Sequence, residues 1–228
     1  MTSSTLTLTA ADGFQLPAYV SEPAQTPRGA IVVLQEIFGV NSHIRSVADR
    51  FAAAGYLTVA PALFERVERN VELDYGPDDM KRGSALKAAT EALPAPGVMP
   101  DIRGAVEHAT RGGKVGIVGY CWGGLLAWRA AEHIAELAAA VTYYGGGMTV
   151  GKELDREPLV PVMSHFGELD KHITRESVGA FEARHPGVEV HRYAADHGFN
   201  CDQRGAYNAS ASATALERTL FHFGKWLE

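Results

Sequence analysis

The 228-residue chain carries enough apolar material for a sizeable core, because hydrophobic residues make up 46% of it and charged residues only 21%. This composition excludes a mainly disordered protein. The formal net charge of −6 comes without a basic block, which argues against nucleic acid as a partner. Two cysteines are too few for a disulfide framework and indicate a reducing compartment.

The first residues have neither the positive nor the apolar region of a signal peptide. The longest apolar runs, such as Ala30–Leu34, are far shorter than the roughly 20 residues that span a bilayer. The sequence therefore predicts one cytoplasmic domain over residues 1–228, with no membrane partner and no signal of oligomeric state.

Apolar patterning predicts an N-terminal hairpin followed by strands that alternate with helices. The hairpin pairs Thr5–Ala10 with Phe14–Val20 around an Asp12-Gly13 turn. The later predicted strands are Ala30–Gln35, Tyr56–Ala60, Lys114–Tyr120, Ala138–Tyr144, Leu159–Phe166 and Val188–Tyr193. The predicted helices are 41–54, Met80–Leu93, Asp101–Thr110, Leu125–Leu137, Arg175–Arg184 and Ala206–Glu228. Such alternation is typical of the α/β class, with a mostly parallel sheet covered by helices on both faces and ligands at the carboxyl ends of its strands.

The most informative motif is Gly119-Tyr120-Cys121-Trp122-Gly123-Gly124, which lies between a predicted strand and a predicted helix. It matches the nucleophile-elbow pattern G-x-[nucleophile]-x-G, with cysteine in place of the usual serine. A strained turn at a helix N-terminus exposes the nucleophile and favours a thiolate. A buried structural cysteine is the alternative interpretation, and the flanking glycines favour the nucleophile.

A cysteine nucleophile needs a base and an orienting acid, which follow it along the chain in the order acid and then histidine in this type of fold. Asp170 comes just after the predicted strand Leu159–Phe166, and His197 follows the last predicted strand. We therefore expect a Cys121–Asp170–His197 triad. Glu168 and Asp196 are the rival acids.

Backbone N–H groups are expected to form the oxyanion hole. Trp122, directly after the nucleophile, is one candidate donor, and Ile37 in the loop Gln35-Glu36-Ile37-Phe38-Gly39 is the other. That placement puts the Glu36 carboxylate beside the site. The sequence contains no metal-ligand spacing and no nucleotide-binding motif, so no metal and no cofactor are expected.

These stretches resemble the dienelactone hydrolase (carboxymethylenebutenolidase) family of the α/β-hydrolase superfamily. The resemblance rests on residues 35–41, 116–124, the segment around Asp170 and His197-Gly198-Phe199, and residues 217–220 fit as well. It implies an α/β-hydrolase fold and hydrolysis of a lactone or small carboxylic ester through a cysteine acyl-enzyme. It also implies that Glu36 helps switch the thiol to its active thiolate form.

In that family arginines hold the carboxylate of the lactone. Arg82 (or Lys81) is the nearest match to one of them, whereas the place of the second, just after His197, is occupied by residues 200–202, and Arg204 comes later. Trp122 and Tyr144 are expected to line the substrate pocket. A general carboxylesterase, or a hydrolase of a different lactone, is the main alternative. An amidotransferase-like or protease-like cysteine enzyme and a non-catalytic hydrolase-like protein are the others.

Overall fold

The N-terminus forms the predicted antiparallel hairpin. Strands β1 (Thr2–Thr9) and β2 (Gln15–Glu22) pair from Thr2↔Glu22 to Thr9↔Gln15. The turn between them follows from its residues, because Asp12 Oδ1 accepts the backbone N–H of Phe14 over 3.1 Å and Gly13 has a φ of 87°. The hairpin is longer than the sequence pattern indicates, since its exposed first residues carry no apolar alternation.

The computed structural model describes all 228 residues, which divide into two compact units, Met1–Val115 and Gly116–Glu228. The prediction of one domain over residues 1–228 stays a prediction. The remaining strands are β3 (Ala30–Leu34), β4 (Leu57–Pro61), β5 (Val115–Tyr120), β6 (Leu137–Tyr143), β7 (Val162–Gly167) and β8 (Glu189–Tyr193). The helices are α1 (Ser42–Ala53), α2 (Pro77–Glu91), α3 (Met99–Ala109), α4 (Trp122–His133), α5 (Gly151–Leu154), α6 (Arg175–Arg184) and α7 (Ala209–Leu227).

In the first unit the strand order is β1-β2-β4-β3, and β3 runs parallel to β4. Every residue of β3 and β4 is buried, which explains their continuous apolar sequences. Helices α1 and α3 pack against this sheet. Helix α1 begins where the sequence predicts, because Asn41 caps it by accepting the backbone N–H of Ile44 over 3.2 Å.

In the second unit the strand order is β5-β6-β7-β8, and β6, β7 and β8 run parallel. Helices α4 and α7 pack against β6, and α7 also contacts β7. The expectation of an α/β fold with mostly parallel strands and an N-terminal antiparallel hairpin is confirmed. None of the helices combines the length and the apolar character that crossing a membrane requires.

Two predicted boundaries are wrong for identifiable reasons. Helix α4 begins at Trp122 rather than at Leu125, because the glycines of the turn already belong to its first turn. Strand β7 begins at Val162 rather than at Leu159, because Pro161 cannot donate a backbone hydrogen bond to a neighbouring strand.

Candidate active site

A tight turn between β5 and α4 holds Cys121 at the start of the helix. Cys121 is the N-cap residue of α4 and has φ 53° and ψ −115°, on the positive-φ side that side chains other than glycine rarely adopt. Its backbone N–H donates to the carbonyl oxygen of Tyr143 over 3.0 Å, and its own carbonyl accepts the N–H of Gly124 over 3.0 Å. The thiol therefore lies at the N-terminus of a 12-residue helix, where the helix dipole favours an anion.

The glycines of the motif are needed because the turn brings backbone segments into contact. A Cβ on Gly119 would lie 1.9 Å from the carbonyl oxygen of Gly123, and a Cβ on Gly124 would lie 2.9 Å from the Cα of Gly145. Neither neighbour is the end of a flexible side chain, so neither can move aside. The turn can hold the cysteine in this conformation only with glycine at both positions.

A Gly119→Ala substitution is therefore expected to lower the free energy of unfolding by about 3 kcal/mol or more, because the clash is with backbone atoms. Chemical denaturation with urea measures the change. Gly146→Ala is the matched control, because a Cβ at Gly146 meets no atom within 4 Å and its φ is not positive. We expect the control to stay within about 0.5 kcal/mol of the wild type. Equal losses in the two variants would contradict this account of the turn.

Asp170 and His197 follow the neighbouring strands β7 and β8, and the structure brings their side chains together. The atoms His197 Nδ1 and Asp170 Oδ2 are 2.7 Å apart, and the Asp170 side chain has no exposed surface. The other carboxylate oxygen, Oδ1, accepts the backbone N–H groups of His172 and Ile173 over 2.7 Å and 3.2 Å. The carboxylate is thus held in one orientation, with Oδ2 towards the imidazole.

The two rival acids have other partners. Glu168 Oε2 lies 4.0 Å from Arg175 Nη2, and 36% of the glutamate side chain is exposed. Asp196 is exposed and accepts the backbone N–H of His197 over 2.7 Å rather than a ring nitrogen. The imidazole of His197 therefore takes its carboxylate partner from Asp170.

The imidazole of His197 also hydrogen-bonds to Cys121, so it bridges the thiol and the carboxylate. Burial alone would lower the pKa of His197, but the charge of Cys121 and the hydrogen bonds to Asp170 and Cys121 outweigh it and raise that pKa to about 10. Burial alone would raise the pKa of Asp170, but the hydrogen bond and charge of His197 and two backbone N–H groups hold it below its ordinary value. At neutral pH this arrangement favours an imidazolium form of His197 beside the Asp170 carboxylate.

Two rings lie against the imidazole of His197, those of Tyr144 and His172. The ring centroid of Tyr144 lies 5.1 Å from that of His197 and 5.3 Å from that of Phe199, and the exposed His172 ring lies 5.6 Å from His197. Tyr144, expected to line a pocket, is fully buried and has a φ of 38°. Trp122, also expected in the pocket, is the first residue of α4 and only 1% exposed. Tyr144 is therefore packed against the catalytic imidazole, and Trp122 directly follows the nucleophile in the chain.

Glu36 and Ile37 belong to the first unit, where they lie in the loop after β3. Glu36 is fully buried and Ile37 is 8% exposed. Gln35 anchors this loop, because its Oε1 accepts the backbone N–H of Leu63 over 3.0 Å. Gly39 has a φ of 79°, and a Cβ there would lie 2.0 Å from the carbonyl oxygen of Val71. The loop is therefore fixed within its own unit.

Arg82 also belongs to the first unit, on α2. The helix packs closely on the loop after β3, because a Cβ at Gly83 would lie 2.3 Å from the carbonyl oxygen of Ile37. The Arg82 side chain itself is 56% exposed and forms an ion pair with Glu68. An arginine in a surface ion pair remains available to an anionic ligand only in competition with its glutamate.

Arg204 is the residue whose position the sequence pattern does not reveal. Two successive turns, with hydrogen bonds from Cys201 N–H to Gly198 O (2.9 Å) and from Arg204 N–H to Cys201 O (3.1 Å), bring it back towards the catalytic histidine. A Cβ on Gly198, the residue after His197, would lie only 2.5 Å from Arg204 Nη1 and 3.0 Å from its Cζ. The guanidinium therefore packs on the backbone beside His197, although it is seven positions later in the chain.

Comparison with known proteins agrees with this geometry. The sequence profile of the dienelactone hydrolase family matches residues 16–227. The chain belongs to this family. It is 34% identical over 219 residues to a carboxymethylenebutenolidase of Pseudomonas putida, with 92% of this chain and 91% of that protein covered. It is 31% identical over 223 residues to a protein of Synechocystis assigned as a carboxymethylenebutenolidase, with 90% of this chain and 89% of that protein covered.

A solved structure supports the same membership. A protein of Klebsiella pneumoniae assigned as a dienelactone hydrolase superposes with a TM-score of 0.86 at 28% identity, and the match covers 99% of each chain. The expected α/β-hydrolase fold is therefore confirmed over almost the full sequence. Membership of this family also makes the chain a hydrolase that acts on ester bonds.

Proposed function

We propose that this member of the family hydrolyses a lactone or small carboxylic ester through a cysteine acyl-enzyme. The observation that carries the proposal is the imidazole of His197, which bonds to Asp170 over 2.7 Å and to Cys121 on its other side. Hydrogen bonds thus connect the nucleophile, the base and the orienting acid, as nucleophilic catalysis requires.

In the first half of the reaction the thiolate of Cys121 attacks the carbonyl carbon. The backbone N–H of Trp122 stabilises the oxyanion that forms, and Ile37 is the sequence-based candidate for the second donor. The tetrahedral intermediate collapses by breaking the carbon–oxygen bond of the ester, and the imidazolium of His197 gives its proton to the departing oxygen. The product is a thioester on Cys121, with His197 now neutral.

Formation of the thioester prepares His197 for the second half. The charge of Cys121 heads the influences that raise the pKa of this histidine, and acylation removes that charge. The pKa therefore falls, so the neutral imidazole can take a proton from water while the hydroxide attacks the thioester. Breaking the carbon–sulfur bond releases a carboxylic acid and restores the thiolate–imidazolium pair.

A thiolate suits esters whose leaving group is a stabilised oxyanion such as an enolate. An amide would have to expel an amine, which requires full protonation, so peptide hydrolysis is disfavoured. Glu36 is proposed to assist conversion of the thiol to the thiolate, as the family resemblance implies. We further propose the cytoplasm as the compartment of the enzyme, since neither of its cysteines forms a disulfide.

We propose a substrate that carries a carboxylate, held by Arg204. Its guanidinium packs on Gly198, the residue next to His197. A charge-assisted hydrogen bond of this kind contributes about 1.5–3 kcal/mol, which corresponds to roughly 10–150-fold in binding. A general carboxylesterase remains the second candidate, because the second family arginine does not occupy its usual place in the sequence.

The test is a matched panel of lactones and aryl esters with and without a carboxylate. We expect Arg204→Ala to lower kcat/KM for the carboxylate-bearing compounds by about 10-fold or more and to leave the uncharged ones within about 2-fold. Arg82→Ala serves as the comparison. If wild type prefers the uncharged esters and Arg204→Ala changes both sets equally, the enzyme is a general carboxylesterase. A thioester adduct on Cys121, trapped by rapid acid quench and mass spectrometry, tests the acyl-enzyme separately.

A further inference from the structure

A chain of buried polar side chains lies behind the ends of β6, β7 and β8 and is not part of the triad. Its centre is His165 on β7, which is fully buried. His165 Nδ1 is 2.8 Å from the Tyr193 hydroxyl and its Nε2 is 3.0 Å from Thr219 Oγ1. Thr219 Oγ1 is also 2.7 Å from the Tyr143 hydroxyl, and Arg218 Nη1 donates to the Tyr193 hydroxyl over 3.2 Å. These five side chains form one connected network.

Arg218 can only donate, so the Tyr193 hydroxyl accepts from it. His165 and the hydroxyl groups of Tyr193, Thr219 and Tyr143 can each donate or accept, so every hydrogen bond of the network can be satisfied. Burial and the neighbouring charges of His191, Arg218 and His222 keep the pKa of His165 well below its ordinary value. His165 therefore stays neutral and serves as acceptor at one nitrogen and donor at the other.

The same residues hold the active-site loops through their backbones. The carbonyl oxygen of Tyr143 accepts the N–H of Cys121 over 3.0 Å. The carbonyl of His165 accepts the N–H of Tyr144 over 2.7 Å, and that of Tyr193 accepts the N–H of Glu168 over 2.8 Å. Each strand residue in the network therefore links the network, through its backbone, to a segment that carries the nucleophile, the aromatic wall or the acid.

We propose that His165 is a positioning residue for the reaction. Through Tyr193 and Thr219 it ties together the strand ends that deliver Cys121, Asp170 and His197, and so fixes the spacing of the triad. The inference rests on the proposed cysteine mechanism. Its physical basis is that misplacing catalytic groups by about 1 Å can cost on the order of 100-fold in rate.

The test removes single hydroxyl groups. Thr219→Val and Tyr193→Phe each delete one hydroxyl group, and with it two hydrogen bonds of the network, while keeping the shape of the side chain. Thr142→Val is the matched control, because Thr142 is a buried residue of β6 whose hydroxyl bonds to Ser164 Oγ on β7 over 2.9 Å, outside this network. Thr219→Val and Tyr193→Phe each lose two hydrogen bonds and Thr142→Val loses one, so we expect a larger loss in Tm for the two network variants than for the control.

Well below Tm, we expect Thr219→Val and Tyr193→Phe to lower kcat about 10-fold with KM within about 2-fold, and to shift the pH profile of Cys121 alkylation by iodoacetamide. Thr142→Val should change neither. His165→Gln, which keeps one donor and one acceptor, should retain more kcat than His165→Leu. Network variants that match Thr142→Val in kcat and in pH profile would overturn the positioning role. Undiminished hydrolysis by Cys121→Ala would instead refute the proposed mechanism, and the positioning role with it.

Discussion

Replacing Cys121 with alanine is expected to lower kcat/KM for esters and lactones by on the order of 10⁴-fold or more, because no other group can form the acyl-enzyme. Steady-state kinetics on activated esters measures the loss. Alanine keeps the backbone torsion of the elbow as strained as cysteine does, so the free energy of unfolding should change little on that account. The proton acceptor and the oxyanion donors remain, which leaves a small residual rate.

The matched control is Cys201→Ala. Cys201 is the other cysteine, forms no disulfide and is fully buried. The substitution removes a small side chain from the core, so we expect it to reduce stability by about 1 kcal/mol and to leave kcat/KM within about 2-fold. We expect iodoacetamide to abolish turnover in this variant and in wild type alike. Wild-type activity in Cys121→Ala would show that the cysteine is not the nucleophile.

Asp170→Asn is expected to lower kcat by about 10³–10⁴-fold with a much smaller effect on KM. The asparagine amide has nearly the same shape, so the two backbone N–H groups of His172 and Ile173 can still bond to its oxygen. Its NH2 group then faces the imidazole and cannot accept the Nδ1 proton, which favours the wrong tautomer. Glu168→Gln is the comparison, because this rival acid is engaged with Arg175 and should be dispensable.

The same variant changes how stability depends on pH. The pKa of His197 is about 10 in the folded protein, above its ordinary value of about 6.5, so its contribution is fully present below pH 6.5 and is lost as the pH rises through about 10. The pKa of Asp170 is lowered, so its contribution is present above its ordinary value of about 3.9 and is lost at more acidic pH. The free energy of unfolding of wild type should therefore exceed that of Asp170→Asn by the largest amount between about pH 4 and 6.5. Denaturation midpoints across the pH range measure this gain, and parallel curves for the two proteins would contradict it.

Much of the site can be predicted from the sequence because its residues are ordered by the fold. A glycine-flanked Cys121 after one strand, Asp170 after another and His197 after the last strand all point to the same edge of a parallel sheet. Short sequence patterns are enough to locate these three residues, because each lies within a few positions of a recognisable strand end. The pattern alone leaves Glu168 and Asp196 as alternative acids, and it is the 2.7 Å contact with His197 that favours Asp170.

The positions of Arg204 and His165 could not be predicted in the same way. Arg204 approaches His197 only because the chain makes two consecutive turns. These turns have no hydrophobic periodicity in the sequence from which they could be predicted. His165 lies inside an apolar strand, where its sequence neighbours do not reveal that both ring nitrogens find partners on β8 and α7. Contacts between side chains far apart in the chain depend on the packed structure, and a single sequence does not encode them in any short pattern.

Cys121 and Tyr144 both have positive φ angles, and the segments that carry them are joined by the hydrogen bond from Cys121 to Tyr143. Non-glycine residues in such conformations cost about 1–3 kcal/mol each. At position 121 glycine would relieve this strain but remove the nucleophile, whereas at position 144 it would leave a cavity in place of a fully buried ring. Stability and catalysis therefore make opposing demands on the backbone at Cys121. Stabilising substitutions are best sought elsewhere in the fold.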